Sequence, residues 1–264
     1  MIKEISITSS DELIRSLNEL PNNYIYRGHA DANWKLESTL ERTLGGSWTN
    51  DKAGQFEEHY LNLFKSKYHI YNKSEHKPKS KLAWLSIMQH YGVPTRLIDF
   101  TESPYVALYF ALEAYNPLTK LDLAIYAIDY SSIMKSSLQK IRAYDSEFKK
   151  TESEIVGRQD ELFDEVVDRF SYDVIWITEP LELNARIDRQ SGTFLIAGNK
   201  DVKIENLLLE DIYSDTNILK FNIPFILYEN IYALLRKMNI NAKTIYGDLG
   251  GLAKSIRMDM QVHV

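Results

Sequence analysis

Three stretches of this chain concentrate side chains able to hold an anion or move a proton. In QHYGVPTRLIDFTESPYVALYFA, from Gln89 to Ala111, the residues His90, Tyr91, Thr95, Arg96, Asp99 and Thr101 crowd among apolar neighbours. A strand that only filled a core would be more uniformly apolar, and polar groups so placed need internal partners or a ligand. Arg96 and Asp99 can form a structural ion pair beside a capping threonine, or take part in chemistry. In YRGHADANW, Arg27 ends a strand pattern, and Gly28 lets the backbone turn or a ligand approach closely. The planar guanidinium of Arg27 can clamp a phosphate or carboxylate, or pair with an internal acid such as Asp99. In RIDRQSGTFLI, Asp188 and Gln190 precede Gly192 and another strand, and Gln190 can bond a ligand hydroxyl or simply serve the turn.

The elements that must position these groups follow from hydrophobic period and punctuation. Lys81 to Tyr91 reads as a helix with Leu82, Leu85 and Met88 on one face, stopped by Gly92 in a left-handed conformation. Pro94 forces an extended segment, so Thr95 to Phe100 is expected as a strand, with Thr101 or Ser103 capping a helix that carries Val106, Tyr109 and Phe110 inward. Further strands are expected at Tyr24 to Arg27, Leu123 to Asp129, Val174 to Thr178, Thr193 to Ala197 and Ile218 to Ile223. Helices are expected after Ser10, around Phe56 to Phe64, at Ser131 to Ile141, Glu152 to Phe170, Pro224 to Met238 and Leu249 to Met260. HADANWKLESTL reads as an irregular crossing of the surface. Strands and helices intermingle without regular βαβ alternation, which gives an α+β class with mixed, mostly antiparallel sheets and one domain over residues 1–264.

Composition removes several functions. The 264 residues include no cysteine, so disulfides, thiolate zinc sites and cysteine nucleophiles are excluded. No histidine pair has zinc-ligand spacing and no acidic run imitates a calcium loop, so no metal is expected. There is no GxSxG elbow, and GDLGGLAKS lacks phosphate-loop spacing and reads as a glycine turn into the last helix. The N-terminus lacks the apolar run of a signal peptide and no segment has the length of a membrane span, so a cytoplasmic protein without a membrane partner is expected. A net charge of −6 argues against a whole surface that grips nucleic acid. Between Lys65 and Lys81, however, six lysines face one acid, as a solvated loop or as a basic arm for an anionic partner.

The three stretches, taken in order, resemble the FRG-domain family, whose aromatic-Arg-Gly motif appears as Tyr26-Arg27-Gly28. Trp34, Leu36 and Arg42 stand at the family's spacing, and QHYGVPTRLIDFT followed by ALYFA is close to its longest motif. RQSGTF resembles a later block closely. GDLGGLA does so loosely, because Gly247 replaces the usual proline. The block order in turn resembles ADP-ribosyltransferases, in which an Arg-Gly strand, a Ser/Thr strand running into a helix, and an acid opening a later strand build one fold and one site.

That resemblance implies an NAD-dependent ADP-ribosyltransferase, a bacterial toxin or phage-defence effector modifying a nucleic acid or protein acceptor, with an antitoxin or chaperone as further partner. It implies Arg27 as the diphosphate clamp, Thr95 or Thr101 as contacts to the nicotinamide ribose, and Tyr91 or Tyr109 as the aromatic wall, with Gly28, His90 and Arg96 completing the cofactor site. Gln190 stands where the transferases have a glutamate. Glutamine orients a hydroxyl but is no general base, so Asp99, Asp188 or Glu182 would supply the carboxylate. The alternative is a non-catalytic module in which Arg27, Arg96 and the lysine-rich arm recognise RNA or a nucleotide.

Overall fold

The computed structural model describes residues 2–72, 77–151, 154–155, 158–181 and 185–261. Seven strands form one mixed sheet in the order β1-β7-β4-β2-β3-β6-β5: β1 is Lys3–Ser6, β2 Tyr24–His29, β3 Ile98–Thr101, β4 Leu123–Asp129, β5 Ile175–Thr178, β6 Gly192–Ala197 and β7 Ile218–Ile223. Only β1 and β7 run parallel, and every other neighbouring pair is antiparallel. With helices around the sheet, the class is α+β, built on one sheet where more than one was expected.

The described helices are α1 Ser10–Asn18, α2 Thr39–Leu44, α3 Asn50–Tyr71, α4 Lys81–His90, α5 Pro104–Ala114, α6 Tyr130–Tyr144, α7 Gln159–Phe163 continued by a wider turn over Asp164–Arg169, α8 Ala185–Arg189, α9 Ile204–Leu208, α10 Tyr228–Lys237, α11 Ala242–Tyr246 and α12 Leu249–Gln261. Their starts obey capping chemistry. Ser80 accepts from the Ala83 N–H at 3.1 Å, and Ser103 accepts from the Val106 N–H at 3.3 Å, with Pro104 in the first turn. Gly92 follows α4 at φ 81° and Gly247 closes α11 at φ 69°, so the GDLGGLA segment is the expected glycine turn into the last helix.

The sheet is buried on both faces. Tyr24 and Tyr26 of β2 and Ile125 and Ala127 of β4 pack with α1, α5, α10 and α11. Alternation sends Ile25, Tyr126 and Ile128 to the other face, with Leu36, Ile133 and the residues of α9. A further cluster joins Trp176, Phe194 and Ile196 to α3, α4, α6 and α7 around the β5 edge. No described helix is long and apolar enough to cross a membrane.

One weak line crosses this sheet. β2 pairs with β4 over six residues and β3 pairs with β6 over four, whereas β2 and β3 share the single pair Tyr26 opposite Thr101. Beyond it the two strands part. The expected strand from Thr95 is correspondingly shorter: the Thr95 carbonyl accepts from Leu40 N–H of α2, the Leu97 N–H donates to Thr95 Oγ1, and Arg96 reaches Glu57 of α3 and the Ala197 carbonyl of β6 through its side chain and not through a ladder.

Candidate functional site

The seam between β2 and β3 is bridged by a side chain. In a continued ladder Asp99 would lie opposite Gly28; instead its carbonyl accepts Arg27 Nη1–H at 2.7 Å. Arg27 Nε–H donates to His29 Nε2 at 3.0 Å. Both acceptors are neutral. Among the described residues no carboxylate lies within ion-pair distance of Arg27, and three of the five N–H donors of a guanidinium remain uncommitted. Burial lowers the Arg27 pKa; the Asp99 charge opposes that shift, and Arg42 reinforces it. Among the described residues Arg42 is itself held only by the Glu37 carbonyl and the Thr39 hydroxyl.

His29 is buried, and its pKa is pushed down to about 3, first by burial and then by Arg27, so the ring is neutral. Because Nε2 accepts from Arg27, Nδ1 carries the proton, and it has no hydrogen-bond partner of adequate geometry among the described residues. The ring lies edge-on to Trp34 and Tyr126, with centroids 6.0 and 5.1 Å away. Trp34, which the irregular crossing carries over this face, is half exposed. The whole is a partly buried, electropositive cluster at the sheet seam with spare donors.

Gly28 has a different reason from the one expected. A Cβ there would sit 2.0 Å from the Ala107 carbonyl oxygen and 2.8 Å from the Ala111 nitrogen, so glycine is required by the backbone of α5 and not by a turn or a ligand.

The other expected site residues divide. Thr101 is buried and donates to the Gln190 carbonyl at 2.6 Å while accepting from the Ser103 N–H at 3.0 Å, so two of the stretches do meet. Gln190 is half-buried and its Nε2 lacks a partner among the described residues. Thr101 shares the α5 face with Tyr26, whereas Arg27 alternates to the opposite face and reaches β3 only through the open seam. Asp99 and Asp188 are exposed.

Thr95, Arg96 and Tyr109 are 0%, 3% and 1% exposed and have internal partners. Thr95 Oγ1 donates to Gln89 Oε1. The Tyr109 hydroxyl donates to Glu113 at 2.9 Å, and burial raises its pKa. In this packing none of the three offers a free polar atom to a ligand. His90 and Tyr91 are exposed at the end of α4, and Tyr91 lines a separate aromatic groove of about 440 Å³ with Tyr60, Phe64, Lys67, Tyr68 and Tyr71.

The Arg96–Asp99 ion pair does not form. Arg96 pairs with Glu57, through Nε and Nη2 at 2.9 Å each, and donates Nη1–H to the Ala197 carbonyl at 3.2 Å. Glu57 lies between the buried Ala53 and Leu61 on one stripe of α3, and a carboxylate at the centre of an apolar stripe was the available signal for it. The lysine-rich run is likewise not one free arm. Lys65 and Lys67 lie on α3, Lys65 stands over the Trp84 ring at 5.8 Å, and Lys81 is paired with Glu58 and Asp168. Residues 73–76 of the run, and Glu182, lie outside the described residues.

No group of three or more metal-ligating side chains occurs among the described residues. A second cavity, of about 400 Å³, opens at the end of the sheet and contains two glutamates, Glu102 and Glu179, that the motif reading did not single out. No curated protein and no solved structure is similar enough to the chain to match it. The model of the FRG domain family matches residues 22–120, which hold β2, Trp34, Arg42, the Arg96–Glu57 pair, the seam and α5, and which stop before Gln190. Over these residues the chain is similar to the FRG domain family.

Proposed function

We propose that the protein is an NAD-dependent ADP-ribosyltransferase whose diphosphate clamp is Arg27. The observation that carries this reading is a desolvated guanidinium bonded, among the described residues, only to a carbonyl and a neutral imidazole, beside a second arginine with no carboxylate partner among them. Burying such a charge costs stability unless an anion completes it, and a diphosphate supplies acceptors in the fork geometry that arginine prefers. The adjacency of β2, β3 and β6 also supports the reading, since these strands carry the three motif blocks.

Loss of nicotinamide from NAD leaves an oxocarbenium-like ribose, and the chain's part is to hold the diphosphate, orient the ribose and accept the acceptor's proton. Arg27 and Arg42 serve the first task. Gln190, held through its carbonyl by Thr101, serves the second by orienting a hydroxyl. Asp99, an exposed carboxylate on the strand that the clamp bridges, serves the third, and Asp188 is the other acid on the Gln190 side. The experiment is calorimetric titration with NAD together with chromatographic detection of released nicotinamide, for wild type and Arg27→Lys. Binding and release that both fall in the variant support the proposal; absence of both in the wild type rejects it.

The aromatic groove favours a second reading, an RNA-binding module without turnover. Tyr60, Tyr68, Tyr71 and Tyr91 offer ring faces next to Lys67, the combination that binds single-stranded nucleic acid. Salt-sensitive RNA binding without nicotinamide release would select it.

A further inference from the structure

The cavity at the end of the sheet is assembled from termini of several elements. Glu102 follows the last residue of β3, Thr178 ends β5, Glu179 follows it, Tyr130 and Met134 belong to the first turns of α6, and Gln159 begins α7. The Glu102 backbone is fixed by its N–H donating to the Ser191 carbonyl at 2.9 Å. We infer that this cavity binds an organic cation of the alkylamine or alkylguanidine type, its head group meeting Glu102 and Glu179 and its stem packing on Met134 and the Tyr130 ring.

The chemistry of the lining selects that ligand. Among the described residues neither glutamate has a cationic partner within ion-pair distance, so two carboxylates share one recess without compensation. Thr178 is 5% exposed, and among the described residues neither its Oγ1 nor the buried Gln159 Oε1 has a hydrogen-bond partner. A lone carbonyl oxygen can only accept, so the occupant must donate, and it must do so next to negative charge. A metal ion would need a closer set of oxygen ligands than this lining provides, and an anion would be repelled. The apolar share of the lining suits an alkyl stem, and Tyr130 adds a ring face for a cation. Burial raises the pKa of Glu179 and the Glu102 charge adds to it, as expected where a counter-cation belongs.

The test uses the full chain without NAD, so that its outcome is independent of the transferase reading. Agmatine, which carries both head groups on one alkyl stem, is titrated calorimetrically beside a short arginine-containing peptide and neutral n-pentanol. Saturable binding of agmatine or the peptide, but not of n-pentanol, is expected, and the peptide arm tells a free amine from a protein side chain. Glu179→Gln and the surface variant Glu102→Gln should each weaken the affinity by roughly ten- to hundredfold, the worth of a charge-assisted hydrogen bond. Thr178→Val should weaken it by a smaller factor. Far-UV circular dichroism establishes that each variant is folded. Absence of binding by both cations, equal binding of n-pentanol, or unchanged affinity in folded Glu102→Gln and Glu179→Gln would overturn the assignment.

Discussion

Two arginines on neighbouring strand segments should respond very unequally to the same substitution. Arg96→Met removes the cation bonded to Glu57 and leaves a carboxylate that is 3% exposed. Stranding a buried charge costs about 3–5 kcal/mol. In a chain of this size that lowers Tm by roughly 10 °C. Arg27→Met removes bonds to a carbonyl and an imidazole, worth about 1 kcal/mol each, but also relieves a desolvated cation that has no carboxylate partner among the described residues. The two contributions offset, so stability should stay within about 1 kcal/mol of wild type. Urea unfolding followed by far-UV circular dichroism at neutral pH measures both, with Glu57→Gln/Arg96→Met as a control that should recover part of the loss. If Arg27→Met falls as far as Arg96→Met, Arg27 is a structural residue and the anion clamp is wrong.

The remaining expectations concern the same seam. His29 has a folded pKa of about 3 against an ordinary 6.5, so the unfolded chain binds the extra proton. Its contribution is complete above the unfolded pKa and is lost as pH falls toward the folded one, by about 1.4 kcal/mol per pKa unit at most. Urea midpoints should therefore drop between neutral pH and mild acid, and His29→Gln should flatten that slope. Gly28→Ala puts a Cβ 2.0 Å from a backbone oxygen of α5, so the helix must retreat by about 1.5 Å to reach ordinary contact. A loss of about 3 kcal/mol or more is expected, and a thermal midpoint close to wild type would contradict it. Thr101→Val leaves the Gln190 carbonyl and the Ser103 N–H without that hydroxyl and should cost about 1–3 kcal/mol in the same urea assay.

What the sequence revealed depended on how local the cause was. β4 and β7 were legible to the residue, since runs such as LAIYAID carry their own signal. β1 was missed because Lys3–Ser6 is a short, polar edge strand with no period to read. α2, α9 and α11 are five or six residues long and owe their existence to packing and caps. Within the motif, the capping Ser103 and the stop at Gly92 were legible. The partner of Arg96 was not, since Glu57 lies 39 residues upstream on another helix. Adjacency of β2, β3 and β6 agreed with motif order, but the side of the sheet that each residue faces depends on a ladder pair that no single segment encodes.

The Arg27 guanidinium has a mechanical meaning as well as an electrostatic one. It takes the place of a missing backbone donor, so part of what joins the two halves of the sheet is a side chain that a solute can recruit. An anion that draws Arg27 away from the Asp99 carbonyl would be bound at the expense of sheet cohesion. Occupancy would then be reported by faster amide exchange along Ile98 to Phe100, the strand that Arg27 ties to its neighbour.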